Sequence, residues 1–294
     1  MPYPFTALRS KECEIARLVL ALLAIAALAG LPLQAKAGFI IPGTTVGFAV
    51  LGGTTVTNTG SSVIDGGHVG VSPGSAITGF TPGMVMAPFS VGGGNAAQAQ
   101  SDLAAVYLQA ANLTPTTNLT GQDLGGLTLT PGVYFFSSSA QLTGALTLDF
   151  QGDSDAEFVF QIGSTLTTAS GSSVASINTG NGSSPGCDVY WQVGSSATLG
   201  TSSAFQGHIF ALTSITLTSG ATLDGSALAR NGSVTLDDNR ITNSHCEVTL
   251  APVPEPATIT LALVGGLLLG LPGLRNKLRG KKQDASFVVL GIGG

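Results

Sequence analysis

A threonine followed by a leucine recurs along the sequence, and this pair is the pattern on which a function can be built. Six occurrences of the pair are separated by 19, 18, 33, 18 and 19 residues. Their threonines are Thr128, Thr147, Thr165, Thr198, Thr216 and Thr235. A threonine side chain offers a hydroxyl that hydrogen-bonds water and a methyl group around which water becomes ordered. A regular array of threonines therefore acts on water, and no bond-breaking chemistry is needed.

The interval of 18 or 19 residues predicts a solenoid, because one short repeat cannot bury its apolar face without neighbours. Residues around the pair alternate, as in Ile215-Thr216-Leu217-Thr218. Alternation with a period of two places the aliphatic residues on one side of a strand and the threonines on the other. Glycines such as Gly207 and Gly225 mark corners between strands. The predicted fold class is all-β, a β-helix with Leu, Ile, Val and Phe stacked inside.

Residues 95–112 break this pattern and predict one long α-helix. The segment is rich in Ala and Gln and contains neither Gly nor Pro. Ala99, Leu103, Val106 and Ala110 form an apolar stripe at helical spacing. A helix lying along one flank of the solenoid would bury that stripe.

Charged residues are few, and those of the central chain are mostly acidic. They make up 9% of the sequence, against 44% hydrophobic residues. Between Gly38 and Pro256 only Arg230 and Arg240 are basic, whereas thirteen residues are acidic. Because nucleic-acid binding depends on Lys and Arg that neutralise phosphates, this composition excludes a nucleic-acid-binding protein.

Residues 1–37 are predicted to be a secretory signal peptide. The apolar run Leu18–Leu31 follows three basic residues and precedes the small-x-small pattern Ala35-Lys36-Ala37. A charged lead, an apolar stretch and small residues at the cleavage site are the parts of such a signal. The mature chain would begin near Gly38, and its β-helix domain is predicted to span residues 38–250.

Residues 251–282 have the order of a bacterial sorting signal. Pro254, Glu255 and Pro256 precede an uncharged stretch, residues 257–274, that is about long enough to cross a bilayer, and a basic cluster follows. This order resembles the PEP-CTERM signal of Gram-negative bacteria that make exopolysaccharide. The resemblance implies a stay in the inner membrane, removal of the tail by an exosortase-type enzyme, and release to the exterior. Residues 283–294 extend beyond the usual end of such a tail.

Cys187 and Cys246 are the two cysteines of the predicted mature chain. Two cysteines in an exported domain usually form a disulfide, which is the preferred interpretation. A metal site formed by both thiols and His245 is the alternative, although the sequence has no CxxC pair to begin a zinc site.

Two stretches on either side of the predicted helix resemble the ice-binding-like proteins of bacteria, microalgae and fungi. One begins VGFAVLGGTTVTNTGSSVIDGGHVGVSPG; the other includes NLTGQDLGGLTLTPGVYFF and GHIFALTSITLTSGATLDGSALARNGSVTL. The similarity extends roughly from Val46 to Thr242. It implies a right-handed, three-faced β-helix with one long helix alongside. It also implies a discontinuous stack, in which the helix separates the N-terminal coil from the coils that complete the solenoid.

The threonine pattern, together with this resemblance, predicts an ice-binding face. Stacked coils would align the six threonines of the repeat on one flat outer wall, with Thr130, Thr167 and Thr218 as lateral neighbours. A rival face remains open, because the family often shows a Thr-Gly/Ala-x-Thr/Asn arrangement. Ser219-Gly220-Ala221-Thr222 fits it loosely, which makes Thr201, Ser203 and Thr222 the alternative site.

No enzyme, cofactor or metal is predicted. Serine-hydrolase and phosphate-loop signatures are missing, and a polysaccharide lyase would need more basic residues near Asp237 than Arg240. Asp153 and Asp155 belong to a cluster spaced like a small calcium loop, but the glycine and final glutamate of an EF-hand are absent. The histidines that follow two Gly corners are interpreted as surface residues, not as metal ligands; they are His68 and His208.

Two functions from different classes follow from these patterns. The first is a secreted protein that adsorbs to ice and inhibits its growth and recrystallisation. The second is a structural or adhesive matrix protein associated with exopolysaccharide through its sorting tail. The threonine column favours the first, and the tail favours the second.

Overall fold

Three parallel sheets form the walls of a β-helix in the computed structural model, which describes Ile40 and residues 43–85, 89–92, 94–180 and 185–243. All these residues belong to the first of two units of the chain, Met1–Cys246. The second unit, Glu247–Gly294, lies outside the described residues. The predicted fold, an all-β solenoid accompanied by one long helix, is confirmed for the described residues.

Sheet A is the largest wall and contains nine strands. In order across the sheet these are β6 (Phe89–Val91), β4 (His68–Val71), β1 (Phe48–Gly52), β21 (Ala227–Ala229), β18 (His208–Ala211), β15 (Val189–Val193), β12 (Phe158–Ile162), β9 (Gly132–Phe136) and β7 (Thr117–Asn118).

Sheets B and C contain seven strands each. The strands of sheet B, in order, are β10 (Ala140–Leu142), β13 (Leu166–Thr168), β16 (Ala197–Leu199), β19 (Ile215–Leu217), β22 (Val234–Asp237), β2 (Thr55–Thr59) and β5 (Ala76–Thr78). Those of sheet C are β3 (Val63–Asp65), β23 (Arg240–Thr242), β20 (Thr222–Asp224), β17 (Ala204–Gln206), β14 (Ser173–Ile177), β11 (Ala145–Asp149) and β8 (Thr128–Leu129).

One coil passes through the sheets in the order B, C, A. Strand β16 lies in sheet B, β17 in sheet C and β18 in sheet A, after which β19 returns to sheet B. Inward residues of successive coils stack on one another, and Leu199, Leu217 and Leu236 are fully buried in this way. Their packing is the main source of stability, because each buried leucine contributes about 1.5–3 kcal/mol relative to an exposed one.

The stack is discontinuous, as the resemblance implied. The first coil of the chain stacks on the last coil of the domain, and not on the coil that begins after the helix. Strand β1 pairs with β21, β2 with β22 and β3 with β23, all in parallel. Thr57 and Thr235 therefore lie side by side although 178 residues separate them.

The long helix, α1 (Asn95–Ala111), packs on the outside of sheet A. Its buried face contains Ala99, Leu103, Val106 and Ala110, the stripe predicted from the sequence. Outward side chains of sheet A complete this second apolar layer, among them Val159, Tyr190, Phe210 and Leu228. The inner strands β1, β21, β18, β15 and β12 of sheet A are consequently buried on both faces.

Glutamine side chains, one from sheet A and one from α1, connect the helix to the sheet near its two ends. Gln161 donates from Nε2 to the carbonyl oxygens of Ala110 and Leu113, at 2.8 Å each. These carbonyls lie at the C-terminal end of the helix, where no further turn supplies a partner. Gln100, near the other end, donates to the carbonyl of Ala229 at 3.0 Å. The helix is thus held to the sheet by both packing and hydrogen bonds.

Long connections occur where sheet C gives way to sheet A. One of them, residues 150–157, lies between β11 and β12; the other leads from β14 through a 3₁₀ helix, Pro185–Asp188, to β15. Elsewhere the corners are short and glycine-rich. These two connections lengthen individual coils without changing the register of the stacked strands.

Candidate functional site

A central column of threonines follows the outer face of sheet B. Pairing between neighbouring strands places Thr167 opposite Thr198, Thr198 opposite Thr216, and Thr216 opposite Thr235. The same register continues to Thr57 and then to Thr78 at one end, and to Gln141 at the other. Six threonines in six successive strands form the column. We call it the central column.

The central column points outward because its neighbours along each strand point inward. In β16, Ala197 and Leu199 are at most 1% exposed, whereas Thr198 between them is partly exposed. The same alternation holds in β19 around Thr216. Buried residues on either side thus fix the direction of each threonine and keep it there.

The hydroxyls of the central column are largely free of protein partners. Thr57 Oγ1 donates weakly to Thr235 Oγ1 at 3.5 Å. Within the part of the chain that the structure describes, Thr167, Thr198 and Thr216 form no side-chain hydrogen bond. These hydroxyls are available to water, and the methyl groups beside them restrict how that water can orient.

A second column, the edge column, runs beside the central one where the chain enters sheet B from sheet A. Each member lies two positions before the central residue of its strand; the members are Ser139, Thr165, Ser196, Ser214, Ser233 and Thr55. Thr165 donates to Ser139 Oγ at 2.8 Å. The prediction that Thr165 lies in one column with Thr198 and Thr216 is therefore wrong. Thr165 belongs to the edge column, and Thr167 belongs to the central column.

The opposite edge of sheet B is less regular. Thr218 follows β19, and its hydroxyl donates to the carbonyl of Leu199 at 2.8 Å while lying 3.3 Å from Thr201 Oγ1. Thr218 is a lateral neighbour of the central column, as predicted, but its hydroxyl already has a partner. Asp237 takes the equivalent position in the next strand, opposite Thr59. It is the single charged residue within the strands of sheet B.

Thr128 and Thr147 lie on a different wall. They pair with each other in sheet C, where the next residue in the column is Ala175. The predicted single ladder of six threonines is therefore wrong: Thr198, Thr216 and Thr235 share the central column, but these two do not. Thr147 and Thr165 are 18 residues apart, which is the length of one coil elsewhere. Here the long connection after β11 takes up part of that length, so the segment covers less than a full coil.

The rival face does not form one surface. Ser203 is 1% exposed, and its hydroxyl is buried without a hydrogen-bond partner in the structure, so its prediction as a surface residue is wrong. Thr201 lies in the turn after β16, and Thr222 lies in sheet C between Ala204 and Arg240. These three residues share no column.

Sheet C carries charges that sheet B lacks. Asp65 accepts a hydrogen bond from Arg240 at 3.4 Å, and both side chains are substantially exposed. Asp149 and Asp224 add two further carboxylates to its strands. A groove of about 360 Å³ lies on this wall; polar residues such as Gln206, Asp224 and Arg240 line it together with apolar ones such as Val174 and Leu223.

Two of the three histidines, His68 and His208, lie in sheet A, and the third, His245, lies outside the described residues. His208 is fully buried, and burial lowers its pKa to about 4. Its Nδ1 lies 2.7 Å from Ser226 Oγ, and its ring stacks against Tyr190. The prediction of a surface residue is therefore wrong for His208. His68 is half-buried against Phe48. Among the described residues, no group of three His, Cys, Asp or Glu is placed to hold a metal.

Predictions for the two ends of the chain fall mainly outside the described residues. This applies to the signal peptide, to Pro254, Glu255 and Pro256, and to the apolar stretch 257–274. In the part that is described, no helix has the length and apolarity to cross a membrane. Cys187 is disulfide-bonded, and both other cysteines of the chain, including Cys246, lie outside the described residues.

The fold and the surface together define the class of protein: a three-walled β-helix in which a helix covers one wall and a column of threonines lines the outer face of another. Comparison with known proteins agrees. The sequence profile of the family described as "Ice-binding-like" matches residues 50–242. The chain belongs to this family.

Individual relatives share most of its length. An "Ice-binding protein" of Nostoc sp. (strain HG1) is 54% identical over 263 residues, which cover 88% of this chain and 95% of that protein. A solved ice-binding protein from an Antarctic biological consortium is 42% identical, with a TM-score of 0.66 over 72% of this chain and 95% of its own. That of the Antarctic ascomycete Antarctomyces psychrotrophicus is 36% identical, with a TM-score of 0.65 over 69% and 97%.

Proposed function

We propose that this protein binds ice through the outer face of sheet B. The observation that carries the proposal is the central column: six threonines on adjacent strands, all outward, with the hydroxyls of Thr167, Thr198 and Thr216 free of partners among the described residues. Adsorption of many copies to a crystal surface then slows its growth and recrystallisation. Relatives whose names and titles describe ice-binding proteins support the same function.

The spacing of the columns suits a crystalline ligand. Equivalent residues on neighbouring coils lie about 4.7–4.9 Å apart, and same-face residues along one strand lie roughly 6.5 Å apart. These distances come close to the oxygen repeats on ice surfaces. Because the backbone ladder fixes both distances, waters held at the central and edge columns acquire an ice-like arrangement before they meet the crystal.

The near absence of charge on sheet B favours ice over other ligands. A charged side chain holds its own tightly oriented hydration shell, which does not match a crystal lattice. The strands of this wall contain one charged residue, Asp237, at the edge and not in the central column. Sheet A is unavailable because α1 covers it, and sheet C carries four charged residues in its strands.

The decisive experiment compares Thr216→Tyr with Thr147→Tyr. Both threonines precede a buried leucine and lie in a strand, but they face different walls. A tyrosine at 216 would hold the crystal away from the surrounding column, and we expect thermal hysteresis and recrystallisation inhibition to be largely lost. The tyrosine at 147 should leave both unchanged. Equal activity in the two variants, or no activity in the wild type, would reject the proposal.

The protein acts without catalysis and outside the cell in this proposal. Residues 1–37 direct export, and residues 251–282 serve as the sorting segment that an exosortase-type enzyme removes at the inner membrane of a Gram-negative host. A disulfide between Cys187 and Cys246 is part of the same proposal. The disulfide-bonded state of Cys187 supports that pairing, and mass spectrometry of a non-reduced digest tests it directly.

A second function is favoured by the groove on sheet C, which combines polar and apolar lining residues. Gln206, Asp224 and Arg240 there present both donors and acceptors, which suits the hydroxyls of a polysaccharide. We propose that this wall associates with the producer's exopolysaccharide while sheet B binds ice. Retention of the domain on that polysaccharide, and its loss in Arg240→Ala, is the expected result. Retention that survives this substitution would exclude the groove.

A further inference from the structure

The edge column contains hydrogen bonds that connect one coil to the next through side chains. Ser214 donates its backbone N–H to Ser196 Oγ at 3.3 Å, and Ser233 donates its backbone N–H to Ser214 Oγ at 3.2 Å. A third step, Thr165 to Ser139, joins the two hydroxyls at 2.8 Å. These contacts differ from the backbone ladder, because the acceptor is a side-chain oxygen.

Each of these contacts lies next to the proposed ice-binding column. Ser196, Ser214 and Ser233 stand two residues before Thr198, Thr216 and Thr235 respectively. The hydroxyls of Ser196 and Ser214 accept the N–H groups of Ser214 and Ser233, which have no carbonyl partner at this corner. Carbonyl oxygens of neighbouring coils take the N–H groups of Thr213 and Ile215, which flank Ser214. An unpaired N–H here would hold a water molecule at the rim of the face.

The corner is too tightly packed for another arrangement. A Cβ atom added at Gly232 would lie 2.2 Å from Ser214 Oγ and 2.5 Å from the carbonyl oxygen of Thr213. The hydroxyl of Ser214 therefore fills a defined space between two coils. Its position sets how the coil carrying Thr235 lies against the coil carrying Thr216.

We propose that Ser196 and Ser214 are positioning residues of the ice-binding face. By accepting the N–H of the next coil, they hold the central threonines in lattice register and keep the rim free of a competing bound water. This inference rests on the proposed ice-binding function of sheet B. It assigns these serines a role in ordering the threonines, without direct contact to ice being required.

The test compares Ser214→Ala with the conservative Ser214→Thr. The second variant keeps a hydroxyl, and threonine already occupies the edge column at Thr55 and Thr165. We expect Ser214→Ala to show a severalfold loss of thermal hysteresis at an almost unchanged Tm, and faster amide exchange at Ser233. Fluorescently labelled Ser214→Ala should also decorate a single-crystal ice hemisphere less sharply. Ser214→Thr should restore all these properties.

Controls separate positioning from folding. Ser176→Ala on sheet C removes a serine whose hydroxyl donates to Gln206 at 2.8 Å, and should change no ice property. Ser196→Ala repeats the test one coil away, should Ser214→Ala fail to fold. A loss of activity that only follows the loss of folded protein would overturn the inference.

These variants also distinguish a failure of the positioning role from a failure of the proposed ice-binding function. Full activity in Ser214→Ala, with Thr216→Tyr inactive, would reject the positioning role and leave sheet B as the ice-binding face. Full activity in Thr216→Tyr would reject the face itself, and the inference with it.

Discussion

Sheets B and C are built by the same coils, share one core and have the same number of strands, yet their outer faces differ. In sheet B the central column is threonine in six successive strands. The equivalent column of sheet C runs from Thr128 and Thr147 to Ala175, and further along it carries Gln206, Asp224, Thr242 and Asp65. Inward residues thus determine the fold of both walls, while outward residues are free to differ.

The difference teaches that threonine content is a poor guide to a functional wall, whereas an unbroken column is a good one. Sheet C also has threonines, but aspartates and an arginine interrupt them, and its strands β14 and β17 share only one paired position, Ser173 with Ala204. A lattice-forming ligand needs regular spacing over many contacts at once. Sheet B alone among the walls combines exposure with that regularity.

The largest effect should come from a charge placed on each wall in turn. Thr216→Lys introduces a strongly hydrated ammonium group into the central column. We expect it to abolish thermal hysteresis. Ala175→Lys, at an exposed position of sheet C, should retain wild-type activity because that wall does not meet the crystal. Loss of activity in both variants would show that the walls do not differ in function.

A second comparison concerns what the walls have in common. Leu217 in sheet B and Leu223 in sheet C are both buried in the shared core. Replacing either by Ala should lower the free energy of unfolding by about 2–5 kcal/mol, because transfer and cavity terms add. Urea denaturation measures both. A clearly smaller loss for one of them would mean that one wall is less well packed than the structure shows.

Lowering the pH should destabilise the fold through His208 in sheet A, without changing the difference in ice activity between sheets B and C. The folded protein holds the pKa of His208 near 4, whereas an unfolded chain titrates it near 6.5. Between these values the unfolded state binds the extra proton, so the free energy of unfolding falls as the pH falls, by roughly 3 kcal/mol in all. Above pH 6.5 this contribution is constant.

Calorimetry from pH 7 to 4 should show this decline, and His208→Gln should reduce it. Because His208 lies on the covered wall, the ice activity of the folded protein should not change at pH 5. A pH-independent Tm over this range in the wild type would contradict the assignment.

The smallest effect concerns the ion pair of sheet C. Arg240 and Asp65 are 59% and 40% exposed, so solvent screens their attraction. Arg240→Gln should cost at most about 1 kcal/mol in the free energy of unfolding and nothing in ice activity. A larger loss of stability would indicate that the pair helps to hold the first coil against the last.

Much of the fold follows from local sequence patterns. Alternation around Thr216 predicts both strand and direction, since a residue between two buried aliphatics must face outward. The apolar stripe of α1 predicts the covered wall. The discontinuous stacking of coils came only from the family resemblance, because no local pattern tells a strand which distant strand will be its neighbour.

The site was predicted in part. Thr198, Thr216 and Thr235 are one coil apart and share a column, as their spacing indicates. Thr147 and Thr165 have the same spacing by coincidence. The residues of the long connection after β11 make up for the part of a full coil that this segment does not include. Thr57 and Thr78 were missed because valine and isoleucine precede them and no leucine follows. The signal that could have found them is the alternation itself.

Side-chain details lay beyond the reach of sequence. The burial of Ser203 and the hydrogen bond of Thr218 both depend on where a corner turns, and a shift of one residue reverses the direction of a side chain. The edge column is visible in the sequence as a serine or threonine at the start of six strands of sheet B. Its meaning required the distances between coils.

The pairing of the first coil with the last has a consequence for how the molecule is made. Strands β1, β2 and β3 leave the ribosome early, but their partners β21, β22 and β23 are synthesised at the end of the domain. Contacts so distant along the chain close slowly. The export proposed above requires a chain that stays unfolded while it crosses the membrane. The discontinuous stack suits this requirement, because the β-helix cannot be completed before nearly all of the domain has passed.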